Sequence, residues 1–335
     1  MYSSNYHQAD LSNRSILVTG GAGFIGSHLV EYLMKKGARL VRVVDNLSTG
    51  NIKNISAYLN DSSFEFLKSD IRDLSQVNEA MDGIDYVLHQ AALGSVPRSI
   101  NDPITTNDVN VNGFLNVLHA AKEAGVQRMV YAASSSTYGD HPALPKIENQ
   151  IGAPLSPYAV SKYVNELYAS VFSRTYGFHT MGLRYFNVFG PRQDPNGPYA
   201  AVIPLFIKAA LLQNPPIING DGETSRDFTF VENVVQANMK ALTAPISKHE
   251  VVNVAFGQRT TLNELWNTIT AKLDVDLKPE YVAERKGDVK HSLASIEKAT
   301  RIMGYHPEID ITNGLDATIE WYRDAVVGNA ALSQS

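Results

Sequence analysis

Apolar and polar positions repeat one simple unit along the first half of the chain. Ser15–Thr19 is a short apolar run rich in β-branched residues, and a glycine cluster follows it at once. Residues 24–36 are periodic. Ile25, Leu29 and Leu33 fall at i, i+4 and i+8, the spacing of one helix face, and Gly37 stands where a helix stops. Leu40–Val44 is the next continuous apolar run and ends in Asp45. The unit recurs. Phe64–Leu67, Tyr86–His89, 129–133 and 180–183 read as strands, and 74–81, 107–124 and 157–175 read as helices. Strands that are apolar on both faces and alternate with helices predict an α/β fold with a parallel, doubly wound sheet.

After Arg184 the texture changes. Residues 190–198 hold three prolines and two glycines and read as a loop. Helical stretches at 204–212, 231–241 and Leu262–Leu273 follow, separated by short segments without the earlier alternation. They predict a smaller lobe over the carboxyl edge of the sheet. Residues 1–13 are polar, lack the apolar stretch of a signal peptide, and read as a loose extension. Residues 328–335 read as frayed.

Composition narrows the function classes. The 335 residues suffice for one large α/β unit, or for a nucleotide-binding domain with a smaller partner. A formal net charge of -5 leaves no basic excess for phosphate backbones, so nucleic acid is not an expected partner. The absence of cysteine excludes disulfides, a thiolate nucleophile and thiolate metal sites, and fits a reducing cytoplasm. No run of about 18 apolar residues is present, so no membrane span is expected. The nine histidines show no paired ligand spacing on a helix face, and no metal site is expected.

The first motif with chemistry is Thr19-Gly20-Gly21-Ala22-Gly23-Phe24-Ile25-Gly26. Gly20, Gly23 and Gly26 lie three apart between strand and helix. Such glycines serve a tight turn, close approach of backbone to a pyrophosphate, and close helix–strand packing. The helix start at Phe24 and Ile25 offers free N–H groups to phosphates. Asp45 ends the second strand about 20 residues on, where an acid holds an adenosine ribose and repels a 2′-phosphate. This favours NAD over NADP. Alone, a glycine-rich turn and a capping aspartate would explain both features. Asn46, Ser48, Thr49 and Gly50 fall beside Asp45. Fold analogy adds Asp70 and Ile71 after the third strand, and Gln90, Ala91 and Ala92 after the fourth. Residues 14–186 are thus read as the NAD-binding domain, with later segments returning to it. Residues 187–327 are read mainly as the substrate-binding lobe.

Tyr158-Ala159-Val160-Ser161-Lys162 puts Tyr and Lys at i and i+4 on one helix face. A free phenol titrates near 10 and is a poor base at neutral pH. A nearby ammonium and an oxidised nicotinamide both favour phenolate. Lowering the pKa by roughly 3 units takes about 4 kcal/mol. A hydroxyl cluster, Ala133-Ser134-Ser135-Ser136-Thr137-Tyr138-Gly139, closes the fifth strand, and ligands sit at the carboxyl ends of parallel strands. Each feature alone would read as a solvated helix face or a polar turn.

The ordered set Thr-Gly-x-x-Gly-x-x-Gly, strand-end Asp, serine cluster and Tyr-x-x-x-Lys resembles the extended short-chain dehydrogenase/reductases over residues 14–326. Within them the chain is similar to the UDP-hexose 4-epimerases, and most of all to the bacterial UDP-N-acetylglucosamine 4-epimerases of O-antigen synthesis. Residues 91–99 and 132–140 carry that likeness. The resemblance implies a Rossmann fold that keeps NAD bound. It makes Tyr158 the base for the C4 hydroxyl, Lys162 the holder of the nicotinamide ribose that lowers the Tyr pKa, and Ser134 the active-site serine. It places Ser95, Ser135, Ser136, Asn187, Ala201 and Val202 against a UDP-sugar, with Arg226, Arg285 and Asp288 at the diphosphate. Ser292 stands where bacterial UDP-galactose enzymes carry Tyr, and Ala201 where many relatives have Asn. Both imply room for an N-acetyl group, hence UDP-GlcNAc and UDP-GalNAc. Glu232 stands where relatives often have Asp. A homodimer through helices 107–124 and 157–175 is also implied. Two alternatives stay open. One is a nucleotide-sugar dehydratase, although such enzymes carry an Asp-Glu pair where this chain has Ser135-Ser136. The other is a non-catalytic NAD-binding regulator.

Overall fold

The computed structural model describes residues 1–7, 10–195, 200–284 and 290–332. Its centre is a seven-stranded sheet of β1 (Ser15–Thr19), β2 (Leu40–Val44), β3 (Phe64–Leu67), β4 (Tyr86–His89), β5 (Arg128–Ser134), β6 (Thr180–Tyr185) and β7 (Glu250–Val254). The spatial order is β7-β6-β5-β4-β1-β2-β3 and every pairing is parallel. The chain runs outward from β1 to β3 and then returns to lay β4 on the other side of β1. That reversal opens a crevice at the carboxyl ends of β1 and β4, the usual ligand position in such sheets.

Both faces of the sheet are covered, which is why β1 and β6 are buried at every position instead of alternating. One face packs Leu29, Val30 and Leu33 of α1 (Phe24–Lys35) and Val234, Val235 and Met239 of a later helix, Val231–Thr243. The opposite face packs α2 (Leu74–Ala80), α3 (Phe114–Glu123) and α4 (Pro157–Tyr176) through Val77, Val117, Leu118, Ala169 and Phe172. Helix α4 has firm ends. The Ser156 hydroxyl accepts from Ala159 N at 3.1 Å, Pro157 opens the helix, and Gly177 closes it at φ 67°. Beyond the sheet, α5 (Val202–Leu211), α6 (Val231–Thr243), α7 (Leu262–Leu273) and α8 (Ile311–Leu332) surround a separate core. Phe206, Phe228, Phe230, Trp266 and Tyr322 fill it. Among the described residues no helix is long and apolar enough to cross a membrane.

Several expectations need correction. The start of the chain is not loose: Tyr2, Tyr6 and Leu11 are buried against α1 and α6. Glu232 explains part of this. Its Oε1 accepts from Tyr2 N at 2.8 Å and from the Tyr6 hydroxyl at 2.9 Å, tying the arm to α6. The Tyr2 hydroxyl meets His28 Nδ1 at 2.5 Å on α1. The helix expected at 107–124 begins earlier, at Pro103–Asn107, and passes through one wide turn of π type at Asp108–Gly113 before α3. The frayed reading of the C-terminus fails for 328–332, which continue α8; residues 333–335 lie outside the described ones. Strand β7 was not among the expected strands, although its sequence is a short apolar run.

Candidate active site

A cavity of about 400 Å³ opens at the carboxyl ends of β1, β2, β4, β5 and β6. Gly20, Gly23, Phe24, Ile25 and Gly26 form its floor. The glycine requirement is steric. Gly20 sits at φ +68°, and a Cβ there would stand 2.7 Å from Ala91 N. A Cβ on Gly26 would stand 2.1 Å from the Gly20 carbonyl oxygen. The turn and the first turn of α1 therefore approach as closely as backbone allows. No side chain caps α1 at Gly23, so its first N–H groups are left for a ligand.

Asp45, Asn46, Ser48, Thr49, Asp70, Ile71, Gln90, Ala91 and Ala92 line the same cavity. Asp45 is buried. Its carboxylate accepts from Ala22 N at 3.0 Å and Leu47 N at 2.8 Å, and burial lifts its pKa above the ordinary carboxylate value. Asn46 Nδ2 donates to Asp70 at 2.9 Å, while Arg72 beside Asp70 holds that carboxyl well below its usual range. Gly50 does not line the cavity. It backs Asp45, and a Cβ there would lie 2.9 Å from the carboxylate.

Ser134, Tyr158 and Lys162 stand together on the opposite wall. Lys162 is buried, its ammonium donates to the Ala132 carbonyl at 2.8 Å, and burial pulls its pKa down to about 8. Ser136 donates from its backbone N–H (3.1 Å) and its hydroxyl (2.8 Å) to Ser134 Oγ, which aims the serine. The expectation that Lys162 lowers the Tyr158 pKa is not met in the chain alone. Burial raises the phenol above its ordinary value, and only the Ser134 hydrogen bond opposes this. Ser135 and Ser136 line neither this cavity nor the one adjoining it, and Ser95 caps the short helix Val96–Asn101, accepting from Arg98 N at 3.2 Å.

A second, more apolar cavity of about 700 Å³ adjoins the first. The two share Asn187 and Val188. Ala201 and Val202 line it at the start of α5, with Phe206, Ile218 and Leu262, and Arg226 is its charged wall. Arg226 Nη1 donates to the carbonyls of Ser225 (3.0 Å) and Lys290 (3.3 Å). Asn187 holds a left-handed φ of 35° and donates to the Asp227 carbonyl at 3.0 Å. Ser292 lines neither cavity; its N–H pairs with Ser225 O at 3.1 Å. Arg285 and Asp288 lie outside the described residues. Among the described residues no group of three or more His, Cys, Asp or Glu could hold a metal ion.

Residues 16–255 match the NAD dependent epimerase/dehydratase family. The chain belongs to that family. A putative UDP-glucose 4-epimerase of Methanocaldococcus jannaschii is 39% identical over 312 residues, which cover 92% of this chain and 98% of that protein. A UDP-N-acetylglucosamine 4-epimerase from Methanobrevibacter ruminantium, solved with UDP-N-acetylmuramic acid, superposes with a TM-score of 0.88 at 39% identity, covering 94% of this chain and 99% of that one. A UDP-glucose 4-epimerase of Thermus thermophilus, solved with NAD, gives a TM-score of 0.81 at 34% identity, covering 93% and 99%.

As a member of the NAD-dependent epimerase/dehydratase family, the chain offers a cradle that fits NAD: glycines that a Cβ would obstruct, an uncapped helix start, and a strand-end carboxylate. Three side chains of this site escaped the sequence reading. Asn110, in the π-type turn, donates to Leu93 O and to Ser161 Oγ, each at 3.1 Å, and accepts from Leu93 N at 2.8 Å. It fixes the strand-end segment facing Tyr158. A polar residue inside an apolar helical pattern was the available signal, and wide turns of this kind gather at functional sites. Tyr185 lines the first cavity with its hydroxyl on Gln90 and Asn238. Asp227 lies buried behind Asn187.

Proposed function

We propose that the protein is a UDP-sugar 4-epimerase that interconverts UDP-GlcNAc and UDP-GalNAc, and also turns over UDP-Glc and UDP-Gal. One observation carries the reading. The Tyr158, Lys162 and Ser134 trio stands beside the place where a glycine-floored cavity meets an apolar one through Asn187 and Val188. A proton acceptor there reaches a sugar whose nucleotide lies in the second cavity.

In this reading Gly20, Gly23, Gly26 and the start of α1 hold the pyrophosphate of NAD, Asp45 its adenosine ribose, and Lys162 its nicotinamide ribose. Bound NAD supplies a positive charge and a two-electron acceptor that returns the pair later. Tyr158 accepts the proton of the C4 hydroxyl as the C4–H bond breaks, leaving a 4-keto sugar, and gives it back when that bond re-forms on the other face. Ser134 hydrogen-bonds the C4 oxygen and keeps the phenol aimed. Arg226 pairs with the diphosphate, which suits a planar guanidinium. The roomy second cavity lets the ketone turn about its bond to the diphosphate.

The N-acetyl preference rests on the small side chain of Ala201, which lines the second cavity, and on the N-acetylated nucleotide held by the Methanobrevibacter relative. A dehydratase needs a carboxylic acid near the leaving hydroxyl. The carboxylates among the described residues lining the first cavity are Asp45 and Asp70, at the ends of β2 and β3, away from Ser134. A homodimer through α4 and its neighbours is supported by apolar side chains left in water there. Ile104 is 81% exposed, and Val160, Leu167 and Val171 are also exposed. The test is to offer UDP-GlcNAc and UDP-Glc at equal concentration and separate the products. Both C4 epimers are expected, with the N-acetylated one in excess. Absence of both while the protein binds NAD and UDP-sugar would favour the non-catalytic regulator.

A further inference from the structure

Asp227 is fully buried, and the partners of its carboxylate are backbone N–H groups from two distant segments. Oδ1 accepts from Phe256 N and Gly257 N, both at 3.1 Å, and Oδ2 accepts from Gly257 N and Ala294 N, both at 3.2 Å. Residues 256 and 257 follow β7. Ala294 ends a segment that runs beside Arg226: Ser225 N donates to Lys290 O at 3.1 Å and Ser292 N to Ser225 O at 3.1 Å. The Asp227 carbonyl meanwhile accepts the Asn187 amide at 3.0 Å. One residue therefore joins the turn after β7, the 290–294 segment, and two polar side chains of the second cavity, Arg226 as its chain neighbour and Asn187 as its partner.

We infer that Asp227 is a positioning residue for the nucleotide-sugar side of the site, whose ionised carboxylate gathers these segments so that Arg226 and Asn187 are set for the substrate. A proton on Oδ2 turns an O–H toward Ala294 N and releases the 290–294 segment, while Oδ1 keeps Phe256 N and Gly257 N. Burial pushes this group up to about 6, which puts the release in an accessible pH range. The other charged or titratable groups around it are Arg226 on its own strand, Lys290 and His291 on the paired segment, and Tyr305, whose hydroxyl donates to Ala255 O at 3.0 Å. His291 Nδ1 shares a hydrogen bond with Ser225 Oγ at 2.9 Å.

The inference rests on the UDP-sugar reading, and the experiment separates the two. UDP binding to the NAD-loaded protein is measured by calorimetry between about pH 5 and about pH 8, for wild type and Asp227→Asn. Wild type is expected to lose roughly tenfold in affinity towards the acid end. Asp227→Asn is expected to start roughly tenfold weaker and stay flat, with KM for UDP-sugar raised and kcat little changed. NAD content should be equal in both. A variant matching wild type at every pH would overturn the inference, and so would an acid limb that persists in the variant, which would belong to another group. Should the variant fail to fold, a flat wild-type series alone overturns it. A wild type that binds no UDP at neutral pH removes the UDP-sugar reading, and this inference with it.

Discussion

The two cavities that meet at Asn187 and Val188 are made of different materials. The floor of the first is made of backbone: three glycines, a helix start, and the residues that directly follow β1, β2, β3 and β4. The second is made of side chains gathered from 187–189, 200–209, 215–219, 224–228 and Leu262. A site made of backbone imprints itself on local spacing, because each contributor sits at a fixed offset from a strand end. A site made of side chains from distant segments leaves no such spacing. The proposed division of labour matches this: one would grip a dinucleotide through steric fit and N–H groups, and the other would accommodate a varied ligand through apolar area and Arg226.

That division can be broken most sharply at the hydroxyl wall of the first cavity. Tyr158→Phe should lower kcat by a hundredfold or more, the usual size of a general acid–base contribution, with both ligands still bound. Steady-state turnover and ligand content check it, and unchanged turnover would remove Tyr158 as base. Next is Gly26→Ala, which forces a methyl against the Gly20 carbonyl. Overpacking of this kind costs about 3 kcal/mol and should empty the NAD cradle. UDP binding by whatever folded protein remains should survive; its equal loss would show that the cavities are not separable.

A smaller effect concerns the buried carboxylate behind the second cavity. Burial pushes the Asp227 carboxyl up to about 6 in the folded chain, from an ordinary value of 3.8. The contribution of this group to stability is therefore fully present below the unfolded pKa and is lost as pH rises through 6. Asp227→Asn lacks that loss. Its stability relative to wild type should improve by on the order of 2 kcal/mol between about pH 4 and about pH 7. Denaturant midpoints across that range check it, and a constant difference would contradict a raised pKa. Smallest is substrate choice. Ala201→Asn should lower kcat/KM for UDP-GlcNAc relative to UDP-Glc by about tenfold. Equal losses on both substrates would mean that Ala201 does not bound the N-acetyl group.

Much of the fold was legible because the sheet is buried on both faces. Continuous apolar runs marked β1 to β6, and helix spacing marked α1, α2 and α4. Strand β7 was not found, since a short strand amid irregular segments lacks the flanking alternation. The start of the chain misled for another reason. Tyr2 and Tyr6 are tyrosines in a polar context, and their burial depends on Glu232 and Tyr32 far away in sequence. Asn110 and Asp227 escaped because their partners are backbone groups that only the folded chain brings near. Residue types at fixed spacing identified Tyr158 and Lys162 but not their electrostatics. Burial of the phenol and the Lys162 contact with Ala132 depend on tertiary packing.

The central claim is that the C4–H electron pair leaves the sugar and returns to the same carbon within one site. UDP-GlcNAc carrying deuterium at C4 tests it in ordinary water without added dinucleotide. The account predicts UDP-GalNAc that keeps its deuterium at C4. An epimer carrying solvent hydrogen at that carbon would contradict it.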